Sequence, residues 1–368
     1  MCEQWICYRW ALFPRLNRDP HLSNMINTTA RLFILNFLAL CVGTAFGGAQ
    51  QLPPPEPAKL LSRTSSESPT IRVTTNEVLV PTLVEKSEGE VVYGLQQSDF
   101  VLEDNGIPQK IHVQEEMDTA PVALVIAVEQ GGASALEFDK LAKLSPLLDL
   151  FLSDPQSQVA LMGFDSRPHL IHDYTHSGDD LNEALKHLEP GDGGSAILDT
   201  VSSAVDLLQD EPKRFRRVLL LISEERDHGS KHTKPVELIQ KIGLSDVLVL
   251  SVCFSPSRAE LLSDLAGHNE AGSSANLLAP LLMAINAFKK NVAREVAKES
   301  GGEYATFTMD KGFEARVVEA AKHVRNRYLI TFSPSNPTPG LHTIRVKTAE
   351  DYGARIVARA NYWFQKEP

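Results

Sequence analysis

A run of seven apolar residues, 122–128, constrains the fold of this chain more than any other feature. It ends in an acidic residue, Glu129, and a glycine pair, Gly131 and Gly132. A strand without polar residues is typical of a parallel sheet that helices cover on both faces. In such sheets the ligand site lies where the carboxyl end of a strand meets the next helix. The sequence therefore predicts a site directly after this run.

Further apolar runs follow, and amphipathic stretches separate them. Residues 218–222 and 247–254 have strand patterning, whereas residues 180–188, 196–208 and 277–299 have helical patterning. The alternation of strands and helices predicts an α/β domain, with a doubly wound and mostly parallel sheet.

Strand patterns without helices flank this domain on both sides. The Asn105-Gly106 pair between residues 100–102 and 110–113 predicts a hairpin, and strands return at residues 328–332 and 343–347. Neither block is large enough to bury a core alone. We therefore predict that the N- and C-terminal strands form one small β domain into which the α/β domain is inserted.

The start of the chain is typical of a targeting segment. Arg31 precedes an apolar run at 32–42 and small residues at 43–49, which is the layout of a secretory signal. Met25 is the favoured start. An exported protein, periplasmic or extracellular, is therefore expected, with an uncleaved anchor as the alternative and the sole route to a membrane. The predicted parts are a signal segment at 1–49, a linker at 50–69, β segments at 70–117 and 324–368, and the α/β domain at 118–323.

Composition excludes one class of partner. The net charge is −11, and no basic stripe with interleaved aromatic residues occurs, which argues against nucleic-acid binding. After signal cleavage Cys253 would be the one remaining cysteine, so no internal disulfide is expected. Cys253 lies in an apolar run, which favours a packing role.

Several stretches carry a resemblance to a known family. The central region resembles a von Willebrand factor type A domain, and residues 78–364 resemble, more narrowly, an exported type-A-related family described in Acidobacteria. The stretches that carry the resemblance are residues 91–111, 193–199 and 220–230, and Tyr328 with the closing Arg359-Ala-Asn-Tyr362. The resemblance implies a Rossmann-like type-A fold.

The resemblance also implies a metal-ion-dependent adhesion site, with Asp-x-Ser-x-Ser, a Thr and a second Asp as its pattern. This chain departs from the pattern at most of those positions, which are Glu129, Gly131, Ala133, Ser195 and Glu224. Mg²⁺ demands short oxygen ligands in near-ideal octahedral geometry. We therefore expect no metal and no cofactor. A shifted ligand set that uses Ser134 and binds Mg²⁺ remains the alternative.

The expected function is a non-enzymatic protein-binding or scaffolding module of the cell envelope, with no catalytic residues. The partner would be a protein, met at a rim formed by residues Glu129, Gly131, Gly132, Ser134, Ser195, Glu224 and Asp227. An extracytoplasmic hydrolase that uses the acidic, histidine-rich loops is the other alternative.

Overall fold

The computed structural model describes residues 77–86, 89–114, 120–131, 141, 144–254, 278–307 and 312–365. The predicted signal segment and linker, with Gly132, Ala133 and Ser134, lie outside the described residues. The strands are β1 (Val78–Lys86), β2 (Phe100–Asp104), β3 (Ile107–Pro108), β4 (Ile111–Val113), β5 (Val122–Glu129), β6 (Gln158–Phe164), β7 (Pro168–Thr175), β8 (Arg216–Ser223), β9 (Leu248–Phe254), β10 (Tyr304–Phe307), β11 (Tyr328–Phe332), β12 (Gly340–Thr348), β13 (Ala354–Val357) and β14 (Asn361–Phe364).

The α-helices of the described residues lie between the strands of the α/β part. They are α1 (Ser145–Phe151), α2 (Gly178–Lys186), α3 (Ile197–Gln209), α4 (Pro235–Leu244), α5 (Leu278–Phe288), α6 (Val292–Ser300) and α7 (Phe313–Arg325).

A six-stranded sheet forms the centre of the α/β part, in the order β10-β9-β8-β5-β6-β7. All neighbouring strands are parallel except β6 and β7, which are antiparallel. This confirms the predicted mostly parallel sheet. Every residue of β5 is buried, because alternate side chains pack against helices on opposite faces. Each such aliphatic side chain contributes about 1.5–3 kcal/mol when it is fully buried.

The flanking strands form two antiparallel four-stranded sheets, β13-β1-β11-β4 and β14-β12-β2-β3. The N-terminal strand β1 pairs with the C-terminal strands β11 and β13, and β2 pairs with β12. The predicted pairing of the two ends of the chain is therefore confirmed. One apolar cluster contains residues of both sheets, including Val80, Leu102, Ile330 and Tyr362. The bounds of the predicted parts stay predictions.

The predicted hairpin is only partly correct. Asn105 and Gly106 form the turn, with φ of 48° and 81°, a left-handed conformation that Asn and Gly tolerate best. The returning strand β3 is only two residues long and pairs with β2. Strand β4, however, pairs with β11 in the other sheet. The apolar residues of β4, Ile111 and Val113, are therefore buried in a cluster that includes residues distant in sequence.

The single long helix predicted at residues 277–299 is wrong. The structure has two helices there, α5 and α6, and Asn291 separates them. The Asn291 side chain accepts a hydrogen bond from the backbone N–H of Arg294 at 2.8 Å, so it caps the start of α6. Asparagine is among the preferred N-cap residues, because its oxygen replaces a missing intrahelical acceptor.

Candidate functional site at the carboxyl ends of the central strands

Two acidic residues meet where β5 and β8 end. Glu129 is the last residue of β5 and is buried, and its Oε2 accepts a hydrogen bond from the backbone N–H of Glu224 at 2.5 Å. Glu224 follows β8 directly. Adjacent parallel strands bring their carboxyl ends to one edge, which is why residues 95 positions apart are in contact.

The loop before α3 packs against the end of β5. A Cβ placed on Gly131 would lie 2.1 Å from the carbonyl oxygen of Gly194. Only glycine therefore fits at position 131 with the loop in this place. The backbone at Gly131 is thus in direct contact with the loop before α3.

Ser195 joins this loop to the one after β8. Its carbonyl oxygen accepts a hydrogen bond from the backbone N–H of His228 at 3.0 Å. The Ser195 side chain is fully buried, and its Oγ has no hydrogen-bond partner among the residues that the structure describes. Residues 129–131, 193–195 and 224–228 therefore converge, and we call this surface the rim.

Glu129, Glu224 and His228 place one donor atom each within 4.8 Å of one another. The Nε2 atom of His228 lies 3.7 Å from Glu224 Oε2, and their side chains are 46% and 27% exposed. Two carboxylates and an imidazole form a donor set that Zn²⁺ accepts readily. Mg²⁺ prefers oxygen ligands and usually retains several waters, so this set fits it poorly.

Asp227, predicted as part of the binding rim, has contacts within the protein. Its Oδ2 accepts hydrogen bonds from the backbone N–H of Leu198 at 2.9 Å and from Ser230 Oγ at 2.5 Å. Leu198 lies in the first turn of α3, where backbone N–H groups have no intrahelical acceptor. The Asp227 carboxylate therefore fixes the loop after β8 to the start of α3.

Asp199, in the first turn of α3, also fixes the loop after β8 to this helix. Its carboxylate accepts hydrogen bonds from the backbone N–H groups of Lys231, His232 and Thr233. Burial alone would raise the pKa of Asp199, and these hydrogen bonds hold it below its usual range. The reciprocal contacts of Asp199 and Asp227 make this loop a positioned part of the rim.

Sequence reasoning missed a fourth loop, which follows β6. The carboxylate of Asp192 accepts hydrogen bonds from the backbone N–H groups of Ser166 and Gly194 and from Ser166 Oγ. The Gly194 hydrogen bond is the largest cause of the lowered pKa of Asp192. The signal was present, since Asp165 and Ser166 follow the buried strand β6 as Glu224 follows β8.

Cys253 is a buried packing residue. It lies in β9, and its Sγ is 3.9 Å from Ser223 Oγ. Burial raises the pKa of the Cys253 thiol, which keeps it protonated and unreactive.

Comparison with known families gives a match within the α/β part. Residues 133–226 match the family model described as von Willebrand factor type A domain. The chain contains a type A domain.

Solved structures similar to the type A domain are distant in sequence. BatB from Bacteroides thetaiotaomicron is 16% identical over 55% of this chain and 98% of that chain, with a TM-score of 0.38. The vWF domain of the type V pili tip protein Mfa5 from Porphyromonas gingivalis is 10% identical over 56% and 96%, with a TM-score of 0.40.

A third similar structure is proximal thread matrix protein 1 from the mussel byssus, with a zinc-occupied MIDAS motif. It is 14% identical over 61% of this chain and 50% of that chain, with a TM-score of 0.39. No curated protein matches the sequence. Among the helices of the described residues, none has both the length and the apolar character needed to cross a bilayer.

Proposed function

We propose that this chain is a non-enzymatic protein-binding or scaffolding module, and that its protein partner meets the rim without a bridging cation. Type A domains typically bind proteins, and the domain is present here. The contact between Glu129 and the backbone of Glu224 carries the proposal. In this contact one carboxylate oxygen of Glu129 accepts a hydrogen bond that joins the ends of β5 and β8.

The amino-acid types at the rim support the absence of Mg²⁺ from this function. Gly131 occupies a position at which the adhesion motif has a serine, and its contact with Gly194 leaves no room for a side chain. Two carboxylates longer than aspartate by one methylene replace the two aspartates of the motif. Strict octahedral geometry is hard to reach with this set.

We further propose that the protein acts in the cell envelope after export, as a member of the exported type-A-related family that its sequence resembles. The apolar run at 32–42, followed by small residues, supports a signal segment. N-terminal sequencing of exported material tests this directly. A mature chain that begins near Gln50 agrees with the proposal, and a chain found in the cytoplasm with its N-terminus intact contradicts it.

Capture from envelope extract tests the rim. The rim variant combines Glu224→Gln with His228→Gln, and the control combines Glu350→Gln with His187→Gln, two exposed residues of the same types. We expect the wild-type chain and the control to retain the same protein, and the rim variant to lose at least about tenfold in affinity, or 1.4 kcal/mol. Equal capture by the rim variant would refute the proposal. Turnover of envelope substrates by the purified chain would refute its non-enzymatic part.

The group Glu129, Glu224 and His228 favours a second candidate, which is metal-dependent binding through a shifted ligand set. Thermal unfolding with Zn²⁺, with Mg²⁺ and with a chelator separates the candidates. An ion at about a hundredfold its dissociation constant would stabilise the fold by about 2.7 kcal/mol. The second candidate predicts that Zn²⁺ raises the midpoint and that His228→Gln abolishes this increase. The main proposal predicts the same midpoint in all three conditions.

A further inference from the structure

A second group of two carboxylates and a histidine lies where the antiparallel sheets meet the α/β part. Glu85 belongs to β1, His323 belongs to α7, and Glu303 directly precedes β10. The side chains of His323 and Glu85 are 1% and 3% exposed. We call this group, together with Arg327 and Arg355, the seam.

One side of the His323 ring must carry a proton. Its Nδ1 lies 2.9 and 3.1 Å from the two carboxylate oxygens of Glu303. Both oxygens are acceptors, so Nδ1 is the donor. Glu303 thereby fixes the orientation of the ring and directs Nε2 towards β1.

On the other side, Nε2 of His323 faces Oε2 of Glu85 at 3.5 Å. Neither atom has a hydrogen-bond partner within the described part of the chain, and both are buried. If Nε2 carried no proton, two lone pairs would face each other in the interior, where an unsatisfied polar atom is costly. A positive charge between the two atoms removes this conflict.

A proton fits this position better than a metal ion. Arg355 donates two hydrogen bonds to Oε1 of Glu85, and Arg327 donates one to Oε2 of Glu303. These contacts leave two atoms, Nε2 of His323 and Oε2 of Glu85, that could still bind a metal ion. Zinc sites in proteins use three or four protein ligands.

We propose that a proton on His323 clamps the antiparallel sheets to the α/β part, and that its loss towards alkaline pH loosens the seam. The imidazolium then bridges Glu303 and Glu85, which belong to the two parts. This device is independent of the rim, and it depends only on the geometry of the seam.

The carboxylates around His323 favour its protonated form. Burial alone would lower the pKa of His323, but the hydrogen bond to Glu303 and the charges of Glu303, Glu85 and Glu319 raise it above 6.5. Arg327 and Arg355 act on Glu303, and they help to hold the pKa of Glu303 below its usual value despite its burial. Arg316 pairs with Glu319 at the surface.

The sign of the pH dependence follows from these directions. Because the pKa of His323 is higher in the folded state, its contribution is complete below the unfolded value of about 6.5 and is lost as the pH rises through the folded value. Between the two values one extra proton is bound in the folded state, so the unfolding equilibrium constant rises about tenfold per pH unit. On the acid side, the contribution of Glu303 is lost as the pH falls through its folded pKa.

Two measurements on the full chain test the proposal. Nuclear magnetic resonance of ring-labelled histidines gives the pKa of His323, which we expect above about 6.5. Hydrogen exchange of the amides in β1 and β13, corrected for intrinsic rates, should become faster by about tenfold for each pH unit between the unfolded and the folded pKa of His323, and should level off above the folded value. The wild-type chain alone suffices for both measurements.

Variants assign the effect to the seam. His323→Gln should show fast exchange in β1 and β13 at every pH, and His187→Gln, at an exposed position, should behave as wild type. His342→Gln is the stricter control, since His342 is also buried and also has a raised pKa, but it contacts Asp104 within the antiparallel sheets. A His323 pKa at or below the unfolded value, or exchange in β1 and β13 that is independent of pH in the wild-type chain, would overturn the proposal.

Discussion

The rim and the seam contain the same residue types, two glutamates and a histidine, yet they differ in surroundings. At the seam, His323 is buried, and each carboxylate also binds an arginine. At the rim, the side chain of His228 is 46% exposed, and it lies 3.7 Å from Glu224. Burial and counter-charges therefore decide the role of such a group, and residue types alone do not.

This difference predicts that the seam affects the stability of the fold and that the rim affects binding. A buried charge that loses its partner is strongly destabilising, whereas an exposed charged group contributes little to stability. Substitutions at the seam should therefore change the free energy of unfolding, and substitutions at the rim should change binding.

Arg327→Met should be the most destabilising of these changes. Arg327 donates to the carbonyl oxygen of Gly301 at 2.8 Å and to Oε2 of Glu303 at 3.1 Å, and its side chain is fully buried. Its loss removes one of the two positive groups that contact the Glu303 carboxylate and leaves the Gly301 carbonyl without its donor, and breaking a buried ion pair costs about 3–5 kcal/mol. Urea unfolding measures this value. Arg167→Met, at an exposed position in the loop after β6, should change stability by less than about 0.5 kcal/mol. Equal effects of the two changes would remove the contrast.

Glu299→Gln should stabilise the fold above neutral pH. Burial raises the pKa of Glu299 to about 7, and its carboxylate accepts hydrogen bonds from Asn361 of β14. A raised folded-state pKa means that stability is lost as the pH rises from the unfolded value, about 4.3, to about 7, at 1.36 kcal/mol per unit. The neutral amide avoids this loss.

Urea unfolding at two pH values tests the prediction for Glu299. The gain should be roughly 3–4 kcal/mol at about pH 8 and near zero at about pH 4. Glu350→Gln, at an exposed position, provides the control and should show no such difference. Destabilisation by Glu299→Gln at the higher pH would show that the ionised carboxylate is needed.

Gly131→Ala should disturb the rim directly. The added Cβ would lie 2.1 Å from the carbonyl oxygen of Gly194, so one of the two loops has to move. Such overpacking costs about 1–3 kcal/mol. The same substitution at Gly178, where a Cβ would meet only Asp149 at 3.8 Å, should be tolerated. A Gly131→Ala chain with unchanged thermal midpoint and partner capture would mean that the loops at 131 and 194 do not pack as the structure has them.

His228→Gln should have the smallest effect on stability and a clear effect on binding. Its exposed side chain predicts a change within about 0.5 kcal/mol in the free energy of unfolding. The captured protein should nevertheless be lost. If His228→Gln destabilised the chain as much as His323→Gln, the rim histidine would belong to the framework of the fold.

Local sequence patterns were sufficient to predict the central sheet. The apolar run at 122–128 and the alternation after it predicted the parallel sheet, at whose carboxyl edge the structure has Glu129 and Glu224 in contact. Local patterns failed where tertiary contacts decide. Asn291 interrupts an apolar helical pattern by capping α6, and β4 leaves the hairpin to pair with β11.

The seam was not predictable from sequence patterns. Glu85 and Arg355 are 270 positions apart, and they meet because β1 and β13 pair in register. Glu303 and His323 are 20 positions apart but lie on different elements. Motif reasoning detects groups that one loop or one helix face brings together, whereas the seam arises from the pairing of both ends of the chain.

Capture of the partner with and without divalent cations tests the central claim most directly. The claim is that the rim binds a protein while Glu129 is held by the backbone of Glu224 and no cation bridges the interface. We predict that the wild-type chain captures the same protein equally well in chelator and in Mg²⁺, and that the Glu224→Gln, His228→Gln variant fails in both conditions. Capture that a chelator abolishes and Mg²⁺ restores would contradict the claim.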